Sequence, residues 1–293
     1  NGIGEPSPVT PLEISPDPEI GTLGVERLVE IAAGLLERVR AIDPRVRIDS
    51  GGVSAAVSAR AIATSTGIRR AEDHAGAQGY LFGMAVDGDD VGSFDAHGQA
   101  VLRAQELEPE LERVAARFAE RCLGALGARP GETYRGPVVL SPEVVSSFVL
   151  SDLPSVLTGR AVRTGRCPLA GKLGEAIAAP GLTIVDDARL PDGTASAAFD
   201  REGTPTGRTP LVTEGVLRGF LYDLYEARFA KLPPSGHARG GAASQPAIGV
   251  SNLLVSPGES SLEELCRLPR VVLVNRFSGS SDPVTGEFSG VVK

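Results

Sequence analysis

Apolar residues recur along the chain in two periods, and the switch between them sets out its parts. Residues 1–20 show neither period: five prolines break any repeat there, which predicts an extended arm or linker. From Gly24 to Ile42 the spacing is helical, with Val25, Leu28, Val29, Ala32, Leu35, Leu36 and Val39 on one face and Pro44 as the stop. Between Ile48 and Met84 small and β-branched residues alternate between glycine breaks, the pattern of antiparallel hairpins. Asp87 to Gly98 reads as an acidic, glycine-rich loop. The helical period returns at Leu107 to Leu126, placing Leu107, Leu111, Val114, Ala115, Phe118 and Cys122 together. A short strand at Pro137–Leu140 follows. Ser141-Pro142-Glu143 then has the features of a helix start: a capping hydroxyl, proline in the first turn and an early acid. That helix is expected to reach about Leu153, where Pro154 ends or kinks it.

Beyond Leu182 short strands dominate: Leu182–Val185, Ala195–Phe199, Thr209–Thr213, Val216–Tyr222, Ile248–Val255 and Val271–Phe277. Thr209–Thr213 and Val216–Tyr222 are expected to form a hairpin through Glu214-Gly215, with Arg208 and Arg218 at its surface. Asp200-Arg-Glu-Gly203 reads as a turn with solvated carboxylates. The predicted fold is α+β: a mixed sheet with packing helices in the N-terminal half and a curved antiparallel β region in the C-terminal half. The expected domains are an arm over residues 1–20, an α+β domain over 21–135 and a strand-rich domain over 136–293.

Composition narrows the chemistry. The chain has 293 residues, of which 42% are hydrophobic, enough for a sizeable core. A net charge of −8 argues against generic duplex-DNA binding, which needs a basic surface. Cys122, Cys167 and Cys266 are odd in number and far apart, so they form neither a disulfide framework nor a zinc ribbon. With no run of about 18 apolar residues, no membrane span is expected, and a reducing cytoplasm fits best. The chain begins at Asn1 and stops in mid-pattern, so the natural protein is expected to extend further.

Motif spacing supplies no catalytic kit. The histidines are His74, His97 and His237, and no two lie within a helical turn, which excludes an H-E-x-x-H zinc site. Asp87-Gly-Asp89-Asp90-Val91-Gly92 fails as a calcium loop at its fifth and twelfth positions. Gly165 to Lys172 is one residue too long for a phosphate loop and lacks the following Ser or Thr. Asp152, Asp186, Asp187, Asp200 and Glu202 are the candidates for a carboxylate pair, which spacing alone cannot select.

The ordered segments PVVLSPEVVSSFVLSDLPSVLTGRAV, GKLGEAIAAPGLTIVDD, ASAAFDREGTPTGRTPLVTEGVLRGFLYDLYEARF, PSGHARG, SNLLVSPGESSLEELC and PVTGEFSG resemble the TldD/PmbA family, also called the modulator of DNA gyrase family. Residues 25–130 fit the family's preceding region more loosely. The resemblance implies a pair of related subunits forming a zinc-dependent peptidase. In one, TldD-like, a helix carries H-E-x-x-x-H; in the other, TldE- or PmbA-like, it does not. Here Ser151, Asp152 and Val156 stand at the positions of the first His, the Glu and the second His. Hydroxyl and isopropyl groups cannot replace imidazoles, so the resemblance implies no catalytic or metal-ligating residue on this chain. It implies zinc and a general base on an H-E-x-x-x-H partner, and a peptide or peptide-like substrate whose amide is attacked by zinc-polarised water. Ser151, Asp152, Arg160, Arg166 and His237 are the residues expected to shape the chamber or meet the partner. Two other readings are a stand-alone hydrolase with a relocated site that uses Asp152 or nearby Ser and Asp residues, and a binding or assembly protein without hydrolysis.

Overall fold

The structure is a computed structural model that describes residues 3–292. It divides into two compact units. One comprises Ile14–Arg60 and Ala71–Thr133; the other comprises Asn1–Glu13, Ala61–Arg70 and Tyr134–Lys293.

In the first unit, helix α1 (Val25–Ile42) and helix α2 (Ala104–Leu123) pack with a sheet of long strands, β1 (Val46–Ala63) and β2 (Arg69–Asp87), and two shorter ones, β3 (Asp90–Val91) and β4 (Asp95–Val101). β2 pairs antiparallel with both β3 and β4. The expected apolar face of α2 is buried throughout: Leu107, Leu111, Val114, Ala115, Phe118 and Cys122 are at most 1% exposed. The face of α1 differs from its prediction. Ile31, Leu35 and Val39 are buried, whereas Val25 and Val29 are 72% and 62% exposed. Both sets have helical spacing, so periodicity alone could not choose between them. α2 also starts one turn earlier than its apolar spacing suggests. The Asp17 carboxylate accepts the Ala104 N–H at 2.8 Å, a cap supplied from far upstream in sequence. That bond, followed by a second from the Glu19 N–H, lowers the Asp17 pKa. Of the loop expected over Asp87–Gly98, Asp87 to Asp90 is the tight turn between β2 and β3, whereas the part from Asp95 on belongs to β4, where Asp95 is buried against Arg121.

In the second unit, residues 3–13 run extended and are tied down by side chains. Thr66 donates to the Gly4 carbonyl, and Arg189 donates to the carbonyls of Thr10 and Pro11 at 2.8 and 2.6 Å. Strand β5 (Val138–Leu140) leads into α3 (Pro142–Val144), capped as expected by Ser141. The helix does not stop at Pro154. It widens into π-helical turns over Val145–Leu150 and continues as α4 (Ser151–Val156). A proline crowds the carbonyl four residues back and cannot donate to it; here that carbonyl belongs to Leu150, where the helix is already widened. α5 (Gly159–Arg163) follows at once.

The central sheet of this unit comes from β6 (Ile184–Asp187), β7 (Arg208–Thr213), β8 (Val216–Leu217) and, after α6 (Leu224–Ala230) and the short pair β9 (Ala238–Arg239) and β10 (Ala247–Ile248), β11 (Leu253–Val255). Its order is β11-β6-β7-β8, antiparallel throughout. Leu157, Ile184, Leu211, Val212, Leu217 and Leu221 are buried in its core. After α7 (Leu262–Cys266), β12 (Val272–Val274) pairs parallel with β5, and β13 (Phe277–Asp282) and β14 (Glu287–Val292) form a closing hairpin. The α+β expectation holds. Ala195–Phe199 is not a strand, however, and the strand expected over Val216–Tyr222 stops at Leu217. Phe220 and Leu221 are buried as the chain turns toward α6, so their apolarity serves the core without a ladder.

The β7–β8 turn is the expected hairpin. Glu214 and Gly215 have φ of 48° and 77°, the two positive values of a type I′ turn. A Cβ on Gly215 would lie 2.4 Å from the Ala178 carbonyl oxygen. Gly215→Ala is expected to destabilise the chain by roughly 2–4 kcal/mol, combining left-handed strain with overpacking. Gly207→Ala, at a glycine with nothing within 4 Å, should leave the denaturation midpoint nearly unchanged. Equal midpoints for the two variants would refute this account of the turn.

Candidate functional site

The helix α3–α4 carries three serines whose hydroxyls turn back onto it. Ser147 donates to the Glu143 carbonyl at 2.7 Å, Ser151 to Ser147 at 2.8 Å, and Ser155 to Asp152 at 2.7 Å. Ser151 is thus committed to its own helix. The Asp152 carboxylate accepts from Ser281 at the end of β13. The β13–β14 hairpin is seated on the π-helical segment through Phe148, whose ring lies 4.1 Å from Phe277 and 5.6 Å from Phe288.

Thr158 caps α5 by accepting the Ala161 N–H at 3.1 Å. At the other end Gly165, at φ 71°, reverses the chain. The Arg166 N–H donates to the Ala161 carbonyl and the Gly165 N–H to Val162, the paired bonds of a Schellman motif. That reversal returns Arg166 toward Arg160. Both line a depression of about 200 Å³ together with Val156, Thr158, Thr164 and the β13–β14 turn at Asp282–Val284. Arg160 and Arg166 are exposed, and neither guanidinium has a hydrogen bond or ion pair among the described residues. Of the residues expected at the site, the structure therefore brings Arg160 and Arg166 together, and it places Ser151 and Asp152 on the adjoining helix. Asp282, Thr158 and Thr164 were not legible as site residues, because the hairpin and the Schellman turn that deliver them are tertiary features.

His237 lies elsewhere, in the interior, at 1% exposure. Its Nε2 donates to Asp186 Oδ2 at 3.0 Å and its Nδ1 lies 2.8 Å from Ser235 Oγ. Serine, histidine and aspartate suggest a hydrolytic triad by membership, but not by arrangement. The Ser235 hydroxyl is held by both backbone groups of Tyr222, accepting its N–H at 2.7 Å and donating to its carbonyl at 3.0 Å. Asp186 also accepts the Ser251 N–H at 2.7 Å. The trio clamps loops, with the His237 imidazole in the interior.

The remaining acids are dispersed. Asp187 pairs with Arg208 at 3.1 Å. Asp200 does sit in the expected turn, yet it is not solvated. At 1% exposure its carboxylate accepts N–H groups of Glu202, Thr204 and Ala238 at 2.9, 2.9 and 3.0 Å. Burial raises its pKa against the pull of those bonds. Glu202 accepts the Leu224 N–H at 2.8 Å and is also raised, first by burial and then by Asp200 and Asp223.

The residues from 133 to 293 match the family model described as the PmbA/TldA metallopeptidase C-terminal domain, and residues 18–126 match that family's central domain. The chain belongs to the TldD/PmbA family. It is similar to an uncharacterised protein of Methanocaldococcus jannaschii, 29% identical over 92% of this chain and 62% of the relative. A metalloprotease of Methanothermobacter thermautotrophicus is 34% identical over 64% of this chain and 41% of that protein. The metalloprotease PmbA of Escherichia coli is 28% identical over 95% and 58%. The fold matches TldE from Thermococcus kodakarensis with a TM-score of 0.91 at 23% identity, over 99% of this chain and 66% of that one. It also matches a putative modulator of a DNA gyrase from Thermotoga maritima, with a TM-score of 0.87 at 25% identity, over 100% and 67%. The chain thus spans only part of the length of its TldD/PmbA relatives.

Several of those relatives are named metalloproteases, but the α4 residues do not fit a catalytic zinc. The Ser151 hydroxyl is turned onto its own helix, Asp152 is engaged by Ser281, and Val156 is buried and aliphatic. Among the described residues no three His, Cys, Asp or Glu side chains converge as a metal cluster. No helix among them is long and apolar enough to cross a membrane.

Two outcomes are expected of the buried groups. His237→Ala should cost roughly 3 kcal/mol by leaving Asp186 without its partner, while Ser235→Ala should cost about 1 kcal/mol; denaturant titration of both variants measures the difference. The second concerns pH. A carboxyl raised on folding stabilises below its unfolded pKa, and that stability is lost as pH rises through the folded value. Glu202→Gln keeps an acceptor for Leu224 without the charge. Its stability relative to the parent should therefore increase between about pH 4 and pH 7, and a constant difference across that range would contradict the burial-driven shift.

Proposed function

We propose that this chain is the non-metal-binding member of a TldD/TldE-type heteromeric zinc metallopeptidase or amide hydrolase, with peptide maturation in the cytoplasm as its setting. The observation that carries this reading is α4 itself. The helix expected to hold H-E-x-x-x-H presents Ser151, Asp152 and Val156, and local bonds or burial occupy all three. Zinc and the general base then belong to an H-E-x-x-x-H partner subunit. The task left to this chain is to shape the chamber and hold an unfolded peptide or peptide-like intermediate, with Arg160 and Arg166 as its free polar contacts.

Purified chain should contain less than about 0.1 equivalent of zinc by elemental analysis, as expected without imidazole or thiolate ligands. Co-expression with an H-E-x-x-x-H homologue should give a stable complex with peptidase activity that neither chain shows alone. Stoichiometric zinc on the isolated chain overturns the proposal. So does peptidase activity of the isolated chain that is lost in Asp152→Ala.

A further inference from the structure

We infer that the depression bounded by Arg160 and Arg166 is a binding site for a single carboxylate, the free C-terminal carboxylate of a peptide or an acidic side chain near its end. The inference rests on the reading of this chain as a peptide-holding subunit and names the chemical group that it holds.

Two guanidiniums without an acidic partner among the described residues border one concavity, Arg160 from α5 and Arg166 from the turn just after it. Unpaired surface arginines are common. Here the second is brought back to the first by a specific backbone device, the Gly165 reversal with its two closing hydrogen bonds. Guanidinium forks match carboxylate and phosphate oxygens better than any neutral group does.

The rest of the lining selects between those anions. Asp282 faces the same space, and its Oδ1 already accepts the Val284 N–H at 2.8 Å, so one negative charge is fixed at the rim. Two positive charges against one leave a net charge of +1, which a monoanion neutralises, whereas a phosphate dianion would leave one charge uncompensated at a higher desolvation cost. The volume of about 200 Å³ is below the usual range of cofactor pockets, and it suits one residue-sized group. Val156 and Val284 supply apolar wall for the carbon atoms next to the carboxylate. Thr158 and Thr164 contribute hydroxyls at the same surface, although the Thr164 hydroxyl is already donated to the Arg160 carbonyl at 2.7 Å.

The test is direct binding of fluorescently labelled, unstructured peptides to the chain and to its complex with an H-E-x-x-x-H homologue, followed by anisotropy. Three peptides of one sequence are compared: free C-terminal acid without Asp or Glu, C-terminal amide, and C-terminal amide with a penultimate Glu. The free acid should bind at least about tenfold more tightly than the plain amide, as expected for a charge-assisted bidentate contact. Arg160→Gln combined with Arg166→Gln should abolish that ratio. The two side chains carry no structural bonds, so the thermal midpoint of the double variant should be unchanged. Recovery of affinity with the penultimate Glu assigns the site to acidic side chains as well as chain ends. Inorganic phosphate at millimolar concentration should compete weakly.

Equal binding of acid and amide peptides overturns the inference, as does a double variant that retains the preference. Saturable phosphate binding with no peptide preference reduces the site to a general anion site and overturns it too. Because the readout is binding and needs neither zinc nor turnover, failure of the peptidase pairing and failure of this site would appear in separate measurements.

Discussion

Two carboxylates with almost no solvent contact, Asp186 and Asp200, tie together the loops of the C-terminal unit. Asp186 bonds the His237 ring and the Ser251 N–H, while Asp200 takes three backbone N–H groups, including that of Ala238. The segment Ser235–Arg239 is thereby fixed between the central sheet and the turn at Asp200. An acceptor buried with all its bonds made costs little, whereas the same acceptor left unpaired costs the full desolvation of a charged group. This all-or-none character makes the loops of the unit a single arrangement, and the core leucines then pack around fixed walls.

The same economy explains why α4 is not a metal site even though its fold context is that of a metallopeptidase family. A catalytic zinc requires side chains that project free lone pairs into a common space. Along this helix Ser147, Ser151 and Ser155 donate to helix carbonyls, and Asp152 accepts from Ser281. The widened turns before Pro154 let the helix continue to Val156.

Arg160 and Arg166 stand apart from these buried networks: both are exposed, and neither guanidinium has a hydrogen-bond or ion-pair partner among the described residues. Arg163, on the same short helix, shows the alternative fate: it forms a two-bond fork with Glu226 and lies over the Tyr225 and Phe229 rings. Three arginines within seven residues thus divide into one structural group and two that face open space, and only the latter are available to a ligand.

The sequence by itself determined the elements whose cause is local. The buried face of α2 followed from helical spacing, the Ser141 cap from three adjacent residues, and the β7–β8 turn from Glu214-Gly215. The missing imidazoles at 151 and 156 were also legible, because a residue's inability to ligate zinc needs no coordinates. Tertiary structure decided what depended on distant partners. It chose Ile31 over Val25 and Val29 because Ile31 lies on the side of α1 that joins the core shared with α2. It started α2 at Ala104 because Asp17 reaches it, and it carried the helix through Pro154. It buried Asp200 because Ala238 closes over it, and it sent His237 inward to Asp186. The pairing of Arg160 with Arg166 belongs to both levels. Gly165 between them is written in the chain, but the concavity they share exists only once the β13–β14 turn is laid beside it. Local propensity acts over a few residues, whereas a carboxylate's solvation and a guanidinium's partner are set by whatever the fold brings within hydrogen-bonding distance.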